Sequence, residues 1–196
     1  MSSTTRIAKT ELTGVQGYLV KRFSRKLFGE VPEPAEVMWH NRRVLNDMMS
    51  FGQKVQKWHE LDPNLASFAH MAVAALVGCS WCLDLNYFQT HNEGLDEAKA
   101  SEVPRWREST VFTPLERDVL TYAEAMSETP PQVTDELFAR MLDQLGESAM
   151  LELTALIGFA NLTTRSNNAL GIESQGFSAA CALPLARPSA GYVTSA

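Results

Sequence analysis

The sequence predicts an all-α protein. Apolar residues recur at steps of three and four along most of the chain, and helix start and stop signals punctuate those runs. No alternating apolar–polar run is bounded by hairpin turns. The 196 residues, 45% of them hydrophobic and 20% charged, suffice for one good core or two closely packed halves, and not for several independent domains.

Leu12, Val15, Leu19, Phe23 and Leu27 mark a first helix that Gly29 stops. Val31-Pro32-Glu33-Pro34 reads as a linker, and one helix follows with Val37, Val44, Leu45, Met48, Val55 and Trp58 as its apolar markers. Asp62-Pro63 is a start signal, with Asp as N-cap and Pro at the first helical position. The helix it opens carries Leu65, Phe68, Ala69, Ala72, Val73 and Leu76 and pauses at Gly78. The next begins near Cys79 and runs to Asn92. A short acidic helix spans Asp96 to Val103. Thr113-Pro114-Leu115-Glu116 is a capping box that opens a helix through Ala125. Thr134-Asp135-Glu136 opens another that stops at Gly146, and the last long helix runs from about Glu147 to Leu170. Residues from Ser178 onward, rich in Ala, Pro and Ser, read as a tail that is loose or laid over a neighbouring subunit.

The formal net charge of −6 comes with no basic stripe, which argues against nucleic acid as a partner. The most apolar stretch, Leu65 to Leu85, contains Ser67, His70, Asp84 and two cysteines. It reads as a buried helix pair and not as a membrane span. The first twenty residues lack an apolar signal-peptide core, and the expected compartment is the cytoplasm. Three cysteines do not suit a disulfide framework; in a reducing compartment a close pair is more often catalytic, redox-active or metal-binding.

Cys79-Ser80-Trp81-Cys82 is the constellation that carries chemistry. Residues three apart on a helix share a face, so the two sulfurs can meet with little rearrangement. Gly78 places the pair in a first helical turn, where backbone N–H groups favour negative charge and lower a thiol pKa. The bland alternative is two inert buried cysteines. Zinc is the rival chemistry, because His70, Cys79, Cys82 and His91 supply a Cys2His2 set. Their spacing is not a usual zinc pattern, and His91 lies roughly 13 Å along the helix from Cys82. No metal and no cofactor is expected. On residue types alone, His70 is a polar residue in a helix interface and His91 a surface residue. Asp84 and Asn86 solvate their helix, Arg165, Asn167 and Asn168 cap a helix end, and Cys181 is a free tail thiol.

The segment Leu65 to Tyr87, L-A-S-F-A-H-M-A-V-A-A-L-V-G-C-S-W-C-L-D-L-N-Y, resembles the core of the carboxymuconolactone decarboxylase superfamily, in its alkylhydroperoxidase D-like branch. Phe112 to Asp118 is similar to the family segment that opens the next helix. Leu153 to Ile172, with Asn161, Arg165, Asn167, Asn168 and Gly171, resembles its last helix. The likeness covers residues 35–175, leaving an N-terminal helix and linker (1–34) and a tail (176–196).

The resemblance implies an alkylhydroperoxidase D-like (AhpD-like) helical bundle, assembled as a homo-oligomer, a trimer or hexamer. It implies a thiol-dependent oxidoreductase in which Cys82 is the peroxidatic and Cys79 the resolving thiol. A small hydroperoxide or hydrophobic small molecule would be the substrate, and a dithiol protein the electron donor. The sequence departs from the peroxidase pattern at the proton relay. Ser67 stands where the family has a glutamate, Trp81 where a histidine is common between the cysteines, and Asn86 where a histidine follows them. Ser and Asn can hydrogen-bond a thiolate but cannot exchange protons near neutral pH. His70, one turn from Ser67, is the candidate displaced base. The expectations are therefore a peroxidase of weakened activity, or a non-catalytic redox-sensing or ligand-binding module of the same fold.

Overall fold

A computed structural model of the chain describes residues 5–187. Among these residues there is no strand, and the α-helices are α1 (Gly14–Phe28), α2 (Glu33–Met38), α3 (Arg42–Val55), α4 (Pro63–Val77), α5 (Ser80–Asn92), α6 (Glu97–Glu102), α7 (Pro114–Ser127) and α8 (Asp135–Ala169). No helix of the described residues is long and apolar enough to cross a membrane.

The core is built around α4, which packs on α5, α7 and α8. Asp62 caps it by accepting from the Asn64 and Leu65 amides, and Pro63 takes the first helical position. Phe68, Ala69, Met71, Ala72, Val73 and Ala74 lie on every side of this helix and all are buried. A helix apolar all round belongs in the middle of a bundle, and its alanines let its neighbours approach. The capping box at Thr113 and Glu116 is formed as the sequence predicts. Gly146, at φ 75° and ψ 169°, interrupts α8 and separates its first third from the long C-terminal part. A side chain at that φ would be strained, so the stop signal is conformational.

The N-terminal region departs from expectation in two places. Residues 31–34 are not a plain linker, because α2 starts at Glu33 with Pro34 in its first turn, where a missing N–H costs nothing. The single helix expected from Val37 to Trp58 is broken by a 3-10 turn at Trp39–Asn41. Trp39 turns inward there, and the Asn41 side chain caps α3 by accepting from the Val44 amide. Leu12, Ala35, Trp39 and Leu45 make a small separate cluster. The stripe that identified α1 does not enter the main core: Val15 is 79%, Leu19 56% and Phe23 52% exposed.

The tail also differs from expectation. As far as Arg187 it lies over its own chain, on α5 and α6. Phe177 is buried, the Leu183 carbonyl accepts from the Tyr87 hydroxyl at 2.8 Å, and the Ala186 amide donates to the Ser101 carbonyl at 2.9 Å. Residues 188–196 lie outside the described residues.

Candidate functional site

Gly78 ends α4 in the left-handed region, at φ 78°, which only glycine adopts without strain. That turn delivers Cys79 as the N-cap of α5 and Cys82 into its first turn. The Cys79 Sγ accepts the Cys82 amide at 3.3 Å, and the two sulfurs are joined as a disulfide with a Cα–Cα distance of 5.3 Å. Both cysteines are buried, at 1% and 2% exposure. Helix N-terminal N–H groups face this pair, an environment that stabilises a thiolate once the bond is reduced.

A cavity of about 530 Å³ meets α5 on the Cys82 side. Cys82, Ser67, His70 and Asn86 all line it; Cys79 is not among the lining residues and is sealed in the core beneath. Trp58, Trp81 and Phe159 supply aromatic walls, and Glu93 and Glu152 are its carboxylates. Burial raises the Glu93 pKa. The Glu152 oxygens accept the Glu60 and Leu61 amides at 2.9 and 3.2 Å, which ties the loop before α4 to α8.

Of the sequence-predicted residues, the structure brings Cys82, Ser67, His70 and Asn86 to one cavity, with Cys79 behind it, and gives each a definite partner. Ser67 Oγ pairs with Thr90 Oγ1 at 2.5 Å. Asn86 Nδ2 donates to the Cys82 carbonyl at 2.6 Å, so it is a helix-surface amide turned back on its own turn. The His70 ring stands edge-on to Phe159 with centroids 6.3 Å apart. Burial pushes its pKa down to about 4, and its remaining exposure is to the cavity, so the ring is neutral at physiological pH. A neutral imidazole of such low basicity hydrogen-bonds and packs; it is a weak proton acceptor for a thiol.

Two residues read from sequence as polar capping or solvation have other roles. Asn167 is buried, and its Nδ2 donates to the Cys82 Sγ at 3.4 Å. Asp84 is 4% exposed and accepts Ser174 Oγ and the amides of Gly176, Phe177 and Ser178 at 2.7–3.0 Å. Burial alone would raise the Asp84 pKa, but the bonds from Ser178, Ser174 and Phe177 outweigh it and hold the carboxyl below its ordinary value. Trp81 is pinned from the same side, its Nε1 donating to Gln175 Oε1 at 3.0 Å. These partners lie 85–94 residues apart in the chain, a separation at which no local pattern signals contact. Asn168 and Arg165 cap helix ends, but those of neighbouring helices and not their own: Asn168 Nδ2 donates to the Val77 carbonyl at the end of α4 and Arg165 to the Ser127 carbonyl at the end of α7.

A bundle with a C-x-x-C disulfide at a helix N-terminus, one sulfur facing an apolar cavity, defines an all-α dithiol protein whose site supports a redox role. The sequence profile of the carboxymuconolactone decarboxylase family matches residues 42–125. The chain belongs to the carboxymuconolactone decarboxylase superfamily, with the alkylhydroperoxidase D-like fold. Uncharacterized protein YnjA of Escherichia coli K12 is 35% identical over 162 residues, which cover 82% of this chain and 87% of that one. The structure of an alkylhydroperoxidase AhpD core, an uncharacterized peroxidase-related protein from Ralstonia eutropha JMP134, superimposes with a TM-score of 0.79 at 16% identity, covering 94% of this chain and 100% of that one. A cysteine-to-alanine variant of the debrominase Bmp8, in complex with 2,3,4-tribromopyrrole, superimposes with a TM-score of 0.76 at 17% identity, covering 90% and 96%.

Proposed function

We propose that the protein is a dithiol oxidoreductase that reduces hydroperoxides or a related small oxidant, with Cys82 attacking and Cys79 resolving. The observation that carries this reading is the asymmetry of the pair: Cys82 lines the cavity and Cys79 does not. In the reduced protein the Cys82 thiolate attacks the terminal peroxide oxygen. The O–O bond breaks, the alkoxide takes a proton and leaves as alcohol, and Cys82 becomes a sulfenic acid. The Cys79 thiol then displaces water from it and closes the disulfide, and a dithiol donor protein restores both thiols. With Ser67 and Asn86 in place of acidic or basic partners, the rate falls below that of a site with a full relay. The exposed stripe of α1 supports assembly as a homo-oligomer, a trimer or hexamer, and the absence of a spanning helix among the described residues is compatible with a cytoplasmic location.

Stopped-flow oxidation of the reduced protein by cumene hydroperoxide tests the reading. Trp81 fluorescence is followed and free thiols are counted, with Cys82→Ser as control. Rapid loss of two thiols per chain, abolished in the variant, supports it. Reaction no faster than that of free cysteine overturns the peroxidase assignment and leaves a sensor or ligand-binding module.

A second reading rests on the cavity, whose volume and aromatic walls suit a planar ring better than a small peroxide. The likeness in fold to Bmp8, a debrominase solved with 2,3,4-tribromopyrrole, supports adding a dehalogenation, which in this chain the dithiol would drive. An aryl halide and two thiols would give the arene, hydrogen halide and the disulfide. Halide release from a brominated pyrrole by the reduced protein distinguishes the two.

A further inference from the structure

At the end of α5 away from the cysteine pair, three side chains from three elements converge. His91 Nδ1 lies 2.7 Å from Glu97 Oε2, and the Cys181 Sγ joins them so that the three ligand atoms all lie within 4.8 Å of one another. Each residue is half-buried. The zinc set read from sequence grouped His91 with His70, Cys79 and Cys82. Here His91 faces Glu97 and Cys181 instead, about nine residues and ~13 Å along α5 from Cys82. Atoms bound to one tetrahedral zinc sit roughly 3–4 Å apart, so shifts of about an ångström would bring the three atoms to coordinating positions.

The carboxylate is already oriented. Glu97 Oε1 accepts the Leu183 amide at 2.9 Å and the Tyr87 hydroxyl at 3.3 Å, which leaves Oε2 to His91. Tyr87 shares its single hydroxyl proton between Glu97 Oε1 and the nearer Leu183 carbonyl, at 2.8 Å. Such outer partners fix the geometry of metal ligands. The hydrogen bond from His91 lowers the Glu97 pKa, keeping the carboxylate ionised. Burial, with the negative charges of Glu97 and Asp84, pushes the Cys181 thiol up to about 11. Glu97 and Asp84 place negative charge near the thiol, which a bound cation would offset.

We propose that His91, Glu97 and Cys181 form a binding site for a borderline-soft divalent cation of the zinc class, which fastens the C-terminal segment to α5 and α6. A nitrogen, oxygen and thiolate set favours zinc over hard cations such as calcium or magnesium. Three protein ligands leave a fourth position for water or an external donor. Binding replaces the Cys181 S–H bond with a metal–thiolate bond and releases that proton to solvent. The ionisable groups facing the site are His91, Glu97, Tyr87, Cys181 and Asp84.

The test titrates the full-length oxidised protein, in which the disulfide removes Cys79 and Cys82 from competition. Zn²⁺ binding is read by calorimetry and Co²⁺ by absorption. The expected result is one equivalent per chain, with a thiolate-to-cobalt charge-transfer band in the near ultraviolet and a Tm that rises with Zn²⁺. Cys181→Ser and His91→Ala each lower affinity at least tenfold, and the Cys79→Ser/Cys82→Ser double variant retains the site. Absence of saturable micromolar binding, unchanged binding in Cys181→Ser, or a cobalt spectrum without the thiolate band overturns the proposal.

Discussion

The Asn167 side-chain amide donates to the Cys82 sulfur from the opposite helix, at 3.4 Å. It is the one side-chain donor that the described residues direct at that atom, and it is buried. A hydrogen bond to a charged acceptor contributes about 1.5–3 kcal/mol. Asn167→Ala is expected to raise the Cys82 thiol pKa in the reduced protein by about one unit, measured from the pH dependence of alkylation. Asn168→Ala, which loses only a bond to the Val77 carbonyl, is expected to leave it unchanged.

Ser67 occupies the family's relay position, but its hydroxyl is engaged by Thr90 and the Met71 thioether, not by the Cys82 sulfur. Ser67→Ala should therefore change the rate of thiol oxidation by less than a factor of about ten and cost about 1 kcal/mol of stability. Ser67→Glu should speed the reaction with hydroperoxide at neutral pH, by up to ~10². A large loss of rate in Ser67→Ala, read by stopped flow, would mean that the hydroxyl acts on the sulfur directly.

His70 contributes to stability with a definite pH signature. Its pKa is held at about 4 in the folded protein against an ordinary 6.5. Between those values the unfolded chain binds more protons, so stability rises with pH and is lost as pH falls from 6.5 towards 4. The loss amounts to about 3 kcal/mol over the window. His70→Phe should flatten that part of the profile in denaturant titrations. His70→Ala with an unchanged thiol pKa would remove it as a displaced base.

Asp84 holds the C-terminal segment by four donors. Asp84→Asn turns an amide donor towards groups that are already donors, and should cost about 3 kcal/mol and expose the segment after Glu173 to limited proteolysis. Because the folded pKa is depressed, this stabilisation is complete above the ordinary carboxyl range near ~4 and is lost as pH falls below it. Hydrogen exchange at Gly176, Phe177 and Ser178 should accelerate in the same interval.

The fold was legible where the chain states its structure locally. Asp62-Pro63, Thr113-Pro114-Leu115-Glu116 and Gly146 act within one turn of themselves, and each marks the boundary it predicts. The break at Trp39 was not legible, because the apolar period continues through it and the burial of Trp39 overrides helical continuity. The cysteine pair was readable from its spacing and the preceding glycine. Asn167 and Gln175 reach α5 from the other end of the chain, and Asp84, beside the pair, binds that far segment; the residue types of Asn167 and Asp84 fit capping or solvation equally well. Only the packing of α8 and the C-terminal segment against α5 decides their roles. The α1 stripe announced a helix correctly and said nothing of what covers it.

The sulfur of Cys79 does two jobs: it carries half of the redox bond and it caps α5 by accepting the Cys82 amide. The electron count of the pair is thus written into the first turn of a helix. Conversion of that acceptor from disulfide sulfur to thiol or thiolate changes the strength of the backbone bond it receives. The Cys82 amide proton is accordingly a built-in, label-free gauge of oxidation state, readable by its chemical shift or exchange rate without touching either cysteine.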